Sequence, residues 1–565
     1  VKASLPPLAT AAQTPAAVRF FLPVTALAVV FGLGSAQAAD QTWTNSASDS
    51  LWNNSSANWS GDTWTAGNNA LFGSTGAGAI TVSGTQSVGN MTFSAAGYSL
   101  TGGTLSFANT AASNTINIGA SNMTISSGLS AAFASSGGSL IKSGSGKLTL
   151  NGTISLTAAS GGIGLFDFSA GTTEITGGTI DSTDVRMRTS ISNGLTISGG
   201  TVNLGGTNAN RGLQVNGAGS IAVSGGTVNT SAMSIGFGST GTLNLSGGEI
   251  AMTGGGLITL GNTAAGTLNL TGGTLSIHKI SRSGGASVTT STLNWNGGTI
   301  KALSNQTTTG LFTVSGSGNM QVNVLAGGAL IDSNGFDVKI SNDLSGVGGL
   351  SKSGSGKLTL SGASSYSGIT SVTAGTLAIE STGSIASSSQ IIAGANTTLD
   401  VSAVAFTLGV SAAQTLSGTG TITGNMTVGS QGTLAIGNSA GTMTFNNHLG
   451  LNNGSISNFE INGFTLGNYD LALAATAETQ TVSFNGGTLN LLFQSGFNTS
   501  GTLKIFDFDA YNGDGFTTVS STGLAAGFTA SFDPTNGTVT VIPEPRAALI
   551  GGLGMLALLS RRRSA

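Results

Sequence analysis

Cysteine is absent from the 565 residues, which excludes disulfides, thiolate metal sites and cysteine nucleophiles. Charge is scarce as well: Asp, Glu, Lys and Arg make up 7% of the chain, against roughly 25% in an average soluble domain. The formal net charge is −3, and between the two end segments acidic residues outnumber basic ones. Such a surface does not neutralise phosphates, so nucleic acid is not an expected partner. His278 and His448 are the two histidines and stand far apart without neighbouring ligands of metal-binding spacing, which leaves a histidine metal site or triad without support. No cofactor is expected. What is abundant is glycine, with 91 residues, together with Ser, Thr and Asn, while 39% hydrophobic content suffices for a core. The profile is β-rich and turn-rich.

The two ends read as addresses. An apolar run from Phe20 to Gly34 follows Lys2 and Arg19 and precedes Ala36-Gln37-Ala38, the order of a secretory signal with cleavage between Ala38 and Ala39. The alternative is an amphipathic or buried N-terminal helix. At the other end, Pro543-Glu544-Pro545 is followed by an apolar segment from Ala547 to Ser560 and by Arg561, Arg562 and Arg563. About 14 residues in a helix rise about 21 Å, short of a hydrocarbon core of about 30 Å, and a permanent anchor is usually longer. The three arginines supply the positive-inside bias that holds the extreme C-terminus cytoplasmic. The prolines disfavour helix just before the segment and leave an extended stretch open to a processing enzyme. This tripartite end resembles the PEP-CTERM sorting signal of Gram-negative bacteria. The resemblance implies recognition by an exosortase, transient membrane insertion and delivery to the cell surface or extracellular matrix. A single-pass tail anchor is the alternative and gives the same outward topology.

Between the ends the chain repeats. GTLNLSGGEIAM, GTLNLTGGTLSI and STLNWNGGTIKA begin at Gly241, Gly266 and Ser291, 25 residues apart each time. Leu243, Leu268 and Leu293 therefore form one column, Leu245, Leu270 and Trp295 a second, and Ile250, Leu275 and Ile300 a third, the regularity that stacked coils require. Apolar residues alternate within each unit, as on a strand with one buried face, and the Gly-Gly step turns the chain. Parallel neighbours need a long return path, which a coil of about 25 residues provides.

Two segments are nearly duplicated: LIKSGSGKLTLNG at 140–152 and LSKSGSGKLTLSG at 350–362, the second continuing as ASSYSGITSVTAGTLAI. They resemble the autotransporter-associated β-strand repeat, which implies coils of a β-helix in surface-exposed or secreted passenger regions. Lys147 and Lys357 stand in Gly-rich surroundings but lack phosphate-loop spacing and a following helix, and are expected to be solvent-facing strand residues.

The expected fold is all-β: a parallel β-helix (solenoid) with an N-terminal cap and a C-terminal β domain, plus a short C-terminal hydrophobic helix. The expected limits are 1–38 for the signal peptide, 39–100 for a Trp-rich cap, 101–440 for the solenoid, 441–541 for the C-terminal β domain and 542–565 for the sorting tail. Four of the five tryptophans lie between Trp43 and Trp64, where a cap over an open solenoid end competes with a carbohydrate-stacking platform. Eleven of the 24 phenylalanines fall between Thr442 and Val541. There DAYNGDGF reads as a loop, and Asp507, Asp509, Asn512 and Asp514 pose calcium against a plain surface turn, without the spacing of an EF-hand.

Catalysis on polysaccharides needs carboxylates converging in a groove. The densest ionic group is Asp181, Asp184, Arg186 and Arg188, the last three on one expected strand face, which suits exposed ion pairing. Asp332 and Asp337 flank a turn. The chain is expected to be a non-enzymatic structural or adhesive protein of the cell surface or matrix, with a polysaccharide-active β-helix enzyme as the alternative. Expected partners are signal peptidase and exosortase during processing, and extracellular polysaccharide or neighbouring surface proteins afterwards.

Overall fold

The computed structural model describes residues 38–108, 113–134, 137–159, 162–206, 212–284, 290–316, 318–380, 382–437, 439–475 and 479–544. They are all-β, with no helix, wound as a parallel β-solenoid of about 18 turns. At about 4.8 Å per coil this is a rod of about 86 Å. The segment expected to form a short C-terminal hydrophobic helix lies outside the described residues.

Each coil has three faces. In one, Met233–Phe237 lies on the first face, Gly241–Leu245 on the second and Glu249–Met252 on the third. The next coil places Ile258–Leu260, Gly266–Leu270 and Thr274–Ile277 directly upon them in parallel register. Leu243, Leu268 and Leu293 form one column and Leu245, Leu270 and Trp295 another, as the 25-residue spacing requires. All six are fully buried. Because side chains alternate across a strand, each inward residue meets its counterparts one coil above and below, and the core is a continuous apolar column.

The second and third faces belong to one sheet bent at the Gly-Gly step. The second glycine has positive φ in the pairs ending at Gly178, Gly200, Gly226, Gly248 and Gly273, +69° at Gly226 and at Gly248, and a Cβ on Gly248 would stand 2.4 Å from the Gly226 carbonyl oxygen. Two constraints thus coincide: a left-handed backbone and carbonyls packed coil on coil.

Stacking begins within the region expected to be only a cap, since Asp40–Thr42 already pairs with Asn69–Phe72. Trp43, Trp52, Trp59 and Trp64 are buried and close the open end, with ring centroids 4.5 Å apart for Trp59 and Trp64 and 4.8 Å for Trp52 and Trp59. Phe72 continues the cluster by stacking on Phe93 at 4.3 Å. A terminal coil has no neighbour on one side, and large flat rings fill the space the missing coil leaves.

At the other end the columns continue past residue 441, where the change in composition suggested a separate β domain. Thr442–Phe445, Leu471–Ala474 and Phe506–Asp507 extend one face, and Ile456–Ile461, Thr488–Phe497 and Thr518–Leu524 another. What departs from the solenoid is an antiparallel sheet of Gly501–Lys504, Thr538–Pro543 and Phe528–Asp533. It covers the last coil through Phe484, Phe506, Phe516 and Phe532, whose rings lie 5.1–6.2 Å apart. The phenylalanine enrichment therefore marks the closing of the solenoid in addition to its last turns.

Candidate functional site

At the N-terminal end the first strand begins at Asp40, and the preceding Ala39 donates its N–H to Asn68 Oδ1 at 3.2 Å and accepts from Asn69 N–H at 2.8 Å through its carbonyl. Ala38 is half-buried, and residues 1–37 lie outside the described residues. At the other end Pro543 is the last residue of the central strand of the antiparallel sheet, opposite Phe528, and Glu544 N–H donates to the Gly527 carbonyl at 2.7 Å. Pro543 and Glu544 are exposed. Pro545, Arg561, Arg562, Arg563 and the apolar segment lie outside the described residues.

The ionic groups singled out from sequence do not converge. Asp184 turns a corner at φ +59° between Thr179–Thr183 and Val185–Thr189, so Asp184, Arg186 and Arg188 do not share a strand. Arg188 pairs with Asp167, Nη2 to Oδ2 at 2.6 Å. Asp181 accepts from Asn203 Nδ2 at 2.7 Å on the third face. Asp332 accepts from Asn334 N–H and Asp337 from Lys357 N–H, both as turn supports. His278 Nδ1 meets Ser304 Oγ at 3.0 Å, and His448 Nδ1 accepts from Thr481 N–H at 3.0 Å.

DAYNGDGF is largely a strand, Ala510–Gly515, paired in parallel with Thr481–Asn485, where a loop was expected. Asp507 is tied to Lys504 at 2.6 Å, and Asp509 accepts from Gln480 N–H at 2.8 Å. Asp507 and Asp509 are thus each engaged by a separate partner, while Asn512 and Asp514 stand on the strand beyond them. No group of three or more His, Asp or Glu able to hold a metal occurs among the described residues.

Lys147 and Lys357 face outward, and Lys147 reaches Glu174 at 2.5 Å. The first lysine of each duplicated motif is a different matter, and sequence reasoning passed over it. Lys142 and Lys352 are fully buried. Lys142 Nζ donates to the carbonyls of Gly144, Gly146 and Ala170 at 2.8, 2.6 and 2.6 Å, so each of its three N–H bonds has an acceptor. Lys352 Nζ lies within 2.8–3.1 Å of the Ser353, Gly354 and Ala374 carbonyls and Ser333 Oγ. Burial pulls both amines down to about 8, opposed at Lys352 by the charges of Asp332 and Asp337. Each ammonium fastens its own corner to the Ala-Gly-Thr turn of the next coil. A signal existed: Lys352 stands two residues after inward Leu350, on the same strand face.

The duplicated segment supplies the link to known proteins. Residues 350–379 match the family model of the passenger-associated-transport-repeat. The matched stretch holds Lys352, its cage carbonyls and the buried Tyr366, whose hydroxyl meets Thr370 Oγ1 at 2.7 Å. No curated protein matches the chain. The repeat and the solenoid fit an extracellular surface or passenger-type protein.

A polar recess on the third face of the C-terminal coils is lined by Gln390, Ser417, Asn458, Glu460 and Asp470, with a volume of about 390 Å³. Asp470 is buried beneath it: Oδ1 accepts from Gly441 N–H at 2.9 Å and Oδ2 from Glu460 N–H at 2.7 Å. Burial pushes its carboxyl up to about 7, with the nearby Glu460 charge adding to the rise and the two N–H donors opposing it. Nothing in the sequence marked this pair, since Glu460 and Asp470 are brought together by the hairpin-like bridge between Ile461 and Tyr469.

Proposed function

We propose that this chain is a non-catalytic, exported envelope protein: a stiff solenoid rod sorted to the surface or matrix of a Gram-negative cell through its C-terminal PEP-CTERM-like tail, where it serves structure or adhesion. The observation that carries the reading is the passenger-type repeat at 350–379, built into an unbroken solenoid. The surroundings of the two expected processing points are consistent with it. The first strand begins at Asp40, directly after Ala38 and Ala39, and Pro543 and Glu544 are exposed where the last sheet ends. Cuts at both points would leave the rod and its two aromatic caps whole. Adhesion by such a rod is polyvalent, many weak contacts of low charge acting together.

The test is the intact mass and location of the protein in its host, with and without alanine at Pro543, Glu544 and Pro545. The expected wild-type form lacks the residues before Ala39 and after the Pro-Glu-Pro region and is found outside, while the variant stays full-length in the membrane. Retention of the tail in both would overturn the sorting, and release of reducing ends from matrix polysaccharides would overturn the non-catalytic role.

A further inference from the structure

Outward-facing asparagines in this solenoid form directional amide ladders. Asn269 Nδ2 donates to Asn244 Oδ1, Asn294 to Asn269 and Asn323 to Asn294, at 2.7, 2.8 and 2.8 Å, each toward the preceding coil. A second ladder runs on the third face near the C-terminal end. Ser520 Oγ donates to Asn490 Oδ1 at 2.6 Å, and Asn490 Nδ2 to Asn458 Oδ1 at 2.9 Å. The next residue in that column is Ala435, followed by Ser417. Ala435 has no acceptor to offer, so Asn458 Nδ2 faces a missing rung and has no protein partner among the described residues. On the far side of the gap Ser417 Oγ accepts from Gln390 Nε2 at 2.9 Å, which leaves its hydroxyl hydrogen free to donate.

The gap lies in the recess of about 390 Å³ described above. Gly418 and Gly437 floor it, their backbones bridged to each other. Ser417 and Asn458, two rungs apart, stand about 10 Å from one another, a span close to that of two linked sugar rings. The recess thus presents an amide donor, a hydroxyl and the Glu460 carboxylate as acceptor, beside the partly exposed Leu492 as an apolar wall. Polar groups for hydroxyls next to an apolar surface for C–H faces suit a polyhydroxylated ligand. The carboxylate at the rim and the absence of a Lys or Arg from the lining disfavour an anionic one.

We propose that the gap at Ala435 is a subsite for a neutral glycan, whose hydroxyls take the place of the missing rung between Ser417 and Asn458. Glu460 accepts from a sugar hydroxyl, and Asp470 sets the Glu460 backbone and the floor. The proposal rests on the reading of this chain as an envelope protein, and binding is measured on purified protein, so its failure is separable from a failure of sorting.

The decisive variant is Ala435→Asn. It supplies the absent amide, completes the ladder and occupies the gap between Ser417 and Asn458, so folding is preserved or improved while binding is lost. Titration calorimetry of the intact processed protein with neutral hexaoses of β-1,4-glucose, β-1,3-glucose, α-1,4-glucose and β-1,4-N-acetylglucosamine, alongside a hexagalacturonate, is the experiment. At least one neutral hexaose is expected to bind, at least tenfold more weakly to A435N than to the wild type, with the hexagalacturonate weaker still. A blank across all four neutral hexaoses overturns the proposal. So does equal binding by A435N, or preference for the hexagalacturonate. Thermal unfolding of A435N, at or above the wild-type midpoint, distinguishes a filled site from a misfolded one.

Discussion

The two copies of the KSGSGK motif build the same cage at different corners of the solenoid. In the first, Ser139–Ser143 lies on the first face and Lys147–Leu150 on the second. In the second, Leu350–Ser353 lies on the third face, upon Ala329–Asp332, and Lys357–Leu360 belongs to the column of Val338–Ile340 that continues the first face. Leu311 N–H to the Lys339 carbonyl, at 2.7 Å, carries that continuation. The coils differ in length as well, since Lys142 pairs with Phe168 whereas Lys352 pairs with the nearer Val372. The motif therefore encodes a bend closed by a buried ammonium, together with an Ala-Gly-Thr turn in the following coil, Ala170 to Thr172 or Ala374 to Thr376. Which corner it forms follows from the coils on either side.

The comparison makes the largest prediction a paired one. Lys142→Met and Lys352→Met each remove the donors from three or more backbone and hydroxyl acceptors that remain buried. Each is expected to cost about 3 kcal/mol, because an unsatisfied buried acceptor costs about 1–3 kcal/mol and part is recovered by no longer burying a charge. Hydrogen exchange should show lost protection confined to the mutated corner and the coils touching it, as nearest-neighbour stacking requires. A large loss at one copy and none at the other would show that the two cages are not equivalent.

A smaller effect is expected from pH. Both amines sit near 8 in the fold against an ordinary value of 10.5. Between those values the unfolded chain binds more protons than the folded one, so this contribution to stability rises as pH increases from about 8 to 10.5. The rise should shrink in either lysine-to-methionine variant, read as the shift in denaturation midpoint over that range. Asp332→Asn with Asp337→Asn removes the charges that hold the Lys352 amine up and should move the start of its rise to lower pH, leaving Lys142 unaffected.

The smallest effects belong to the second lysine of each motif. Lys147→Ala breaks a partly exposed pair with Glu174 and should cost under about 1 kcal/mol, and Lys357→Ala about 0.5 kcal/mol or less. A thermal midpoint that falls as far for Lys357→Ala as for Lys352→Met would contradict the inward and outward assignment of the two.

Much of the fold was legible because stacking demands repetition. The columns of Leu243, Leu245 and Ile250 could be read by spacing alone, and alternation set which residues face the core. Alternation also placed Lys352 beside Leu350 on the inward side, yet a lysine suggests solvent unless carbonyl acceptors are known to converge on it. Some of those acceptors lie in the lysine's own corner, but the cage closes only with carbonyls of the next coil, at Ala170 and Ala374. The loop expected at DAYNGDGF was misread for the opposite reason: a stretch with turn-like composition is held extended by its pairing with Thr481–Asn485 of the preceding coil.

By itself the sequence determined the all-β class, the coil period, the columns of the core and the glycine corners, since each depends on local conformation and on identical neighbours recurring at one interval. Only the tertiary structure decided where the solenoid ends, which corner each KSGSGK motif turns and what encloses its buried lysine. It alone brought Glu460 over Asp470 and set Ala435 as a gap between Ser417 and Asn458. Those features join residues in different coils, and the coils differ in length, so no fixed interval along the chain marks which side chains will meet.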